Sequence, residues 1–208
     1  MRFSWLPIVA VLSACVFDPA QHQEIEASWT IQQLDGTETS CPASWVTAVL
    51  VTTDATGART EARFPCGRGG GSSTRLPTGS SIAWLEFRDG GDRMIASSFH
   101  QTFDVGDWTT PFDATIYVDA GYVAASWTWK DQRWCDDSFN PFEVITLELD
   151  GPGGFNQLFS CHDDSGITAP IAPGTYKASI GQGFSRHSLP DVVVEAPNRI
   201  TQLAPITL

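Results

Sequence analysis

Two stretches of the chain alternate apolar and polar residues with period two. Glu24 to Ile31 reads E-I-E-A-S-W-T-I, and Tyr122 to Trp129 reads Y-V-A-A-S-W-T-W. Ile25, Ala27, Trp29 and Ile31 share one side of the first, and Val123, Ala125, Trp127 and Trp129 share one side of the second. Successive side chains of a strand point to opposite faces, so each stretch predicts a half-buried β-strand. Further strands are predicted over Val46–Thr53, Ile82–Phe87, Met94–Ser98, Thr115–Val118, Val144–Leu149 and Val192–Val194. Turn chemistry separates them. Gly69 to Ser73 reads as a loop, and Arg88-Asp89-Gly90-Gly91-Asp92 reads as a hairpin turn, since glycine readily supplies positive φ. No segment combines helix caps with a 3.6-residue apolar stripe.

The two alternating strands open an internal repeat. Cys41 and Cys66 are 25 residues apart, and Cys135 and Cys161 are 26 apart. Leu76-Pro77-Thr78-Gly79 matches Ile171-Ala172-Pro173-Gly174, and His100-x-x-x-Asp104-Val105 matches His187-x-x-x-Asp191-Val192. The expected fold is all-β: two tandem immunoglobulin-like or transthyretin-like β-sandwich domains, at 24–118 and 122–208, joined by a linker at 119–121. Val49 to Gly57, V-L-V-T-T-D-A-T-G, and Ala172 to Ile180, A-P-G-T-Y-K-A-S-I, are similar to the carboxypeptidase-regulatory and transthyretin-like sandwich families. There a Pro-Gly-x-Tyr turn opens a core strand; in the first copy Ser81 replaces the tyrosine. The resemblance implies a stalk, spacer or binding module and no catalysis.

The N-terminus changes the picture. Arg2 precedes the apolar run Trp5 to Leu12, which is too short to span a bilayer and fits the hydrophobic part of an export signal. Leu12-Ser13-Ala14-Cys15 closely resembles the lipobox of bacterial lipoproteins. That resemblance implies a signal peptide at 1–14, an acyl anchor on Cys15 (palmitate among its chains) and a tether at 15–23. The five cysteines are an odd number for an exported chain. With Cys15 given to lipid, four remain. Of the three possible pairings, Cys41–Cys66 and Cys135–Cys161 are expected, because duplication preserves contacts within a unit. An oxidising periplasm or cell surface keeps such pairs closed.

Charge excludes one class of partner. The chain carries 12 basic and 24 acidic residues, for a net charge of −12. Acidic positions are scattered rather than clustered, and no basic patch is available to neutralise phosphates, so nucleic acid is not an expected partner.

Candidate sites are few. The His100/Asp104 and His187/Asp191 pairs could form histidine–carboxylate dyads or metal ligands, but one His and one Asp cannot complete a zinc shell. They read as polar loops. Cys161-His162-Asp163-Asp164 is metal-like only if Cys161 is a free thiolate. Asp89-Gly90-Gly91-Asp92 and Asp136-Asp137 lack the spacing of calcium loops. No metal or other cofactor is expected. Trp129 and Trp134 flank Lys130 to Arg133 and have no tryptophan counterpart in the first copy, so they are candidate ligand-binding aromatics. There is no G-x-S-x-G and no H-E-x-x-H.

These observations predict a cell-envelope protein held to the membrane by its lipid. It is expected to act without catalysis, as a binding or structural module, with an envelope protein or a glycan as partner. Val16, rather than aspartate, follows Cys15, which favours the outer membrane over the inner. An alternative is binding of carbohydrate or cell-wall polymer through Trp129 and Trp134. A third is a hydrolase built on the His-x-x-x-Asp pairs.

Overall fold

The structure, a computed structural model, describes residues 23–106, 109–130, 144–182 and 185–208. The first half runs β1 (Ile25–Gln32), β2 (Thr47–Thr53), β3 (Arg59–Pro65), β4 (Gly70–Ser72), β5 (Gly79–Arg88), β6 (Met94–Ser97), β7 (Gln101–Val105) and β8 (Thr110–Tyr117). The second runs β9 (Gly121–Thr128), β10 (Val144–Asp150), β11 (Phe155–Ser160), β12 (Ser165–Ile167), β13 (Gly174–Gln182), β14 (Ser185–Ser188), β15 (Val192–Val194), β16 (Arg199–Gln202) and β17 (Ile206–Thr207). Among the described residues the helical content is one 3-10 turn, Cys66–Arg68.

Each half is a pair of sheets around its own core. In the first, β4-β1-β8 faces β3-β2-β5, whose outer edge is shared by β6 and β7. In the second, β12-β9-β16, extended by β17, faces β11-β10-β13, whose edge is shared by β14 and β15. The alternation read from the sequence sets these cores. Ile25, Ala27, Trp29 and Ile31 enter the first with Leu50, Phe87, Phe112 and Ile116. Val123, Ala125 and Trp127 enter the second with Leu147, Tyr176 and Ile180. The protein is all-β, built of two sandwiches in tandem.

The two halves match locally in hydrogen-bond register. Ala27 faces Gly71, five residues past Cys66, and Ala125 faces Gly166, five residues past Cys161. This corrects the loop expected over Gly69 to Ser73, because Gly70–Ser72 is strand β4. The glycine there is required by close approach. A Cβ on Gly71 would lie 2.3 Å from the Phe64 ring, and one on Gly166 would lie 2.2 Å from the Phe159 ring. Each phenylalanine stands two residues before its cysteine and covers the glycine face of the facing strand.

Two core exchanges distinguish the copies. In the first, the Trp29 indole N–H donates to the Cys66 carbonyl at 2.9 Å. In the second, Trp129, at the position of Ile31, donates to the Cys161 carbonyl at 3.4 Å, while the buried Trp127 indole nitrogen has no partner among the described residues. Across the β5–β7 and β13–β15 pairs, Ser81 faces Phe103 and Tyr176 faces Val192. The large ring has moved from one strand to its neighbour, so both cores stay filled.

One corner of the second half fastens it to the first. Asn198, buried and in the left-handed region with φ 49°, accepts from the Tyr117 backbone N–H at 2.9 Å. Its own backbone N–H donates to the Ala120 carbonyl at 2.7 Å. Tyr122 packs edge-on against Phe99, with ring centroids 4.6 Å apart. Gly121 allows the crossing, since a Cβ there would lie 2.3 Å from the Glu195 carbonyl oxygen.

Candidate functional site

Cys41 and Cys66 form a disulfide with Cα atoms 6.0 Å apart. Cys161 is also disulfide-bonded. Its thiolate is therefore unavailable to a metal, and Cys161-His162-Asp163-Asp164 forms a turn in which the His162 and Asp163 backbone N–H groups donate to Ser160. Cys15, Cys135, Trp134, Asp136 and Asp137 lie outside the described residues.

The two His-x-x-x-Asp pairs are not equivalent. Gly79 faces Val105 and Gly174 faces Val194, so Asp104 corresponds to Val193 and the motifs are two residues out of step. No hydrogen bond joins either histidine to its aspartate. His100 instead stacks on Trp84, with centroids 4.1 Å apart and planes 20° apart. His187 and Asp191 lie at the rim of an open groove of about 440 Å³, which Leu189, Leu203 and Pro205 also line. Among the described residues no group of three potential metal-ligating side chains comes together. Trp129 is partly buried against the second core, and its N–H donates to the Cys161 carbonyl at 3.4 Å.

The densest polar array lies on the outer face of β3-β2-β5. Val49, Val51 and Trp84 form a small apolar cluster there, turned away from the main core. Arg59, Glu61, Arg63, Glu86, Arg88 and Asp92 cover it. Arg88 donates to Glu86 and, at 3.1 Å, to Glu61, while Arg63 donates to Asp92 at 2.8 Å. The Trp84 indole donates to Glu86 at 3.0 Å, and the Arg59 guanidinium sits 5.3 Å from the Trp84 ring centroid. Burial opposes the charges of Arg88 and Glu61. Hydrogen bonds to Glu86 and then Glu61 outweigh it for Arg88 and raise the guanidinium pKa, and hydrogen bonds from Arg88, Arg63 and Arg59 outweigh it for Glu61 and lower the carboxyl one. The hydrogen bond from Arg63 likewise holds Asp92 below its ordinary value. Asp89 accepts from the Gly91 and Arg93 N–H groups, so Asp89-Gly90-Gly91-Asp92 is a hairpin turn joined to this network. Three cations meet three carboxylates, and each has its partner within the protein. The face is a cover for the apolar strip beneath it.

The junction between the two sandwiches is different. A cleft of about 260 Å³ opens between β7, β8 and the start of β9, lined by Phe99, Gln101, Asp113, Thr115, Tyr117, Tyr122 and Thr168 among others. Three aromatic rings and several polar side chains converge. Burial, with the neighbouring Tyr117, pushes the Tyr122 phenol well above its ordinary value, so it stays a protonated donor. Asp113 accepts from the Ser28 hydroxyl through one oxygen. Sequence reading did not single out Tyr117, Tyr122, Gln101 or Asp113. The available signal was the asymmetry between copies: Tyr122 occupies the place of Glu24, an exchange of charge for an aromatic ring at the joint.

No protein-family model and no curated protein matches the chain. Among solved structures it is similar to the minor pilin of Streptococcus agalactiae, at 11% identity and TM-score 0.33, over 89% of this chain and 94% of that one. It is similar to the fimbrial anchor protein from Porphyromonas gingivalis at 10% identity and TM-score 0.28, over 81% and 82% of the two chains. The Bacillus anthracis TIE protein shares 9% identity over 88% of this chain, at TM-score 0.30, and this chain spans 33% of its length.

Proposed function

We propose that this chain is a lipoprotein of the cell envelope, anchored through acylated Cys15 and attached to the outer membrane. Its two sandwiches, at 24–118 and 122–208, act as a non-catalytic binding or structural module close to the membrane surface. The observation that carries the reading is the oxidised body. Cys41 is bonded to Cys66, and Cys161 is also in a disulfide, which calls for an oxidising compartment. The lipobox-like Leu12-Ser13-Ala14-Cys15 then gives the remaining odd cysteine a role. Cys135 is the partner proposed for Cys161, by analogy with the first copy. The nine residues of the tether reach about 30 Å at most, so the first sandwich lies near the bilayer.

The test is metabolic labelling with an alkyne-bearing palmitate. Wild type takes up label in the membrane fraction and Cys15→Ser does not. Equal labelling of the variant overturns the anchor, and recovery of the chain from the cytosol with free thiols overturns the export.

A further inference from the structure

We propose that the cleft between the two sandwiches is a binding site for one residue of a neutral saccharide. The inference rests on the reading of this chain as an envelope binding module and names the ligand class and the site.

On the outer face of β3-β2-β5 the guanidinium and carboxylate groups are paired with one another, so that array has little left to offer a ligand. At the junction the balance is reversed. The side-chain hydroxyls of Thr115, Tyr117 and Tyr122, the Gln101 amide and the second oxygen of Asp113 make no hydrogen bond to any described residue. These groups line one small space with donors, acceptors and a carboxylate, Phe99 and Tyr117 add apolar ring surface, and the buried Tyr122 ring packs edge-on against Phe99. A pyranose presents that same pairing, C–H faces with a rim of hydroxyls.

Size and charge narrow the class. About 260 Å³ falls just below the roughly 300–1,000 Å³ that holds a drug-sized molecule, so one ring fits with its neighbours leaving through the open side. No lysine or arginine lines the cleft and Asp113 does, in a chain of net charge −12, so an acidic sugar is repelled. The walls come from both sandwiches, and the Asn198 bonds and the Phe99–Tyr122 contact fix their spacing before any ligand arrives.

The test titrates the full chain, in detergent micelles, with a panel of neutral mono- to trisaccharides of glucose, galactose, mannose and N-acetylglucosamine. Binding is read by saturation-transfer NMR and calorimetry. At least one neutral sugar is expected to bind saturably in the millimolar range or tighter, and trigalacturonate at least tenfold more weakly. Gln101→Ala, at an exposed side chain, and Tyr117→Ala are each expected to weaken binding at least tenfold, the former without a change in Tm. Silence across the panel overturns the site, as does binding that survives both substitutions or disappears only with Trp134→Ala. A silent panel with intact Cys15 labelling removes the saccharide and leaves the envelope reading standing.

Discussion

Asn198 donates from its side-chain amide to the carbonyl of Ser97, 101 residues earlier, at 2.6 Å. The same amide accepts from the Tyr117 N–H, so one side chain of the second sandwich ties together two strands of the first. Its backbone is held at φ 49°, where asparagine is tolerated better than most residues. Asn198→Ala removes both bonds, leaves a Tyr117 N–H without its acceptor and keeps the strained backbone. A loss of about 2 kcal/mol is expected. Asn198→Gly relieves the backbone and still loses the bonds, so it should fall between wild type and alanine. Urea melts give the order, and NMR relaxation of the two halves should show them tumbling more independently in both variants.

Gly121 is where β9 begins, and it is pressed against backbone. A Cβ there would meet the Glu195 carbonyl oxygen at 2.3 Å and the Arg199 carbonyl oxygen at 3.1 Å. Backbone carbonyl groups cannot swing aside as a side-chain tip can. Gly121→Ala is expected to cost about 3 kcal/mol through overpacking. Gly67→Ala, with nothing within 4 Å of the new carbon, should change stability by less than about 0.5 kcal/mol. Thermal melts of the two variants side by side are the measurement.

Tyr176 and Ser81 occupy matched places with opposite hydrogen-bond fates. The Tyr176 hydroxyl donates to the Ala172 carbonyl at 2.7 Å and lies 3.0 Å from the Pro152 carbonyl oxygen. The Ser81 hydroxyl is buried without a partner among the described residues. Tyr176→Phe should therefore cost about 1 kcal/mol, while Ser81→Ala should be neutral or slightly stabilising, because it removes a desolvated hydroxyl. Chemical denaturation that ranked the two the other way would show that the hydroxyls do not set these energies.

Acid should weaken the ion pairs on the outer face of β3-β2-β5. Glu61 and Asp92 have folded pKa values below their unfolded ones. Their contribution is fully present above the unfolded carboxyl range, near pH 4, and is lost as pH falls through the folded values. Unfolding free energy is thus expected to drop below about pH 4, and Glu61→Gln should flatten that drop. Glu86→Gln is the harsher change, because Arg88, 8% exposed, loses its most buried partner. About 3 kcal/mol is expected at pH 7. Denaturant melts from pH 7 to 2 test both.

Much of the architecture was legible because its cause is local. Period-two alternation places Ile25, Ala27 and Trp29 inward whatever packs against them, and cysteine spacings of 25 and 26 residues mark the likeness of the two halves. The Arg88 to Asp92 turn was readable for the same reason: a short glycine-bearing segment between two strands has few ways to fold. Gly69 to Ser73 was misread because glycine signals both a turn and a strand that another side chain must cross. Only the position of Phe64 decides between them. The Phe-x-Cys-x4-Gly spacing, present in both copies, was the signal that could have resolved it.

The sequence by itself determined an all-β chain with two alternating core strands and the Cys41–Cys66 pairing, and it carries the Leu12-Ser13-Ala14-Cys15 pattern on which the proposed anchor rests. These follow from periodicity, counting and short contiguous motifs. Tertiary structure alone decided that the two His-x-x-x-Asp motifs are out of step, that Trp129 is occupied by a carbonyl and that unpaired polar groups gather at the joint. Strand register and side-chain hydrogen bonds link residues far apart in the chain, such as Asn198 and Ser97, and no local pattern encodes which distant partner a group will meet.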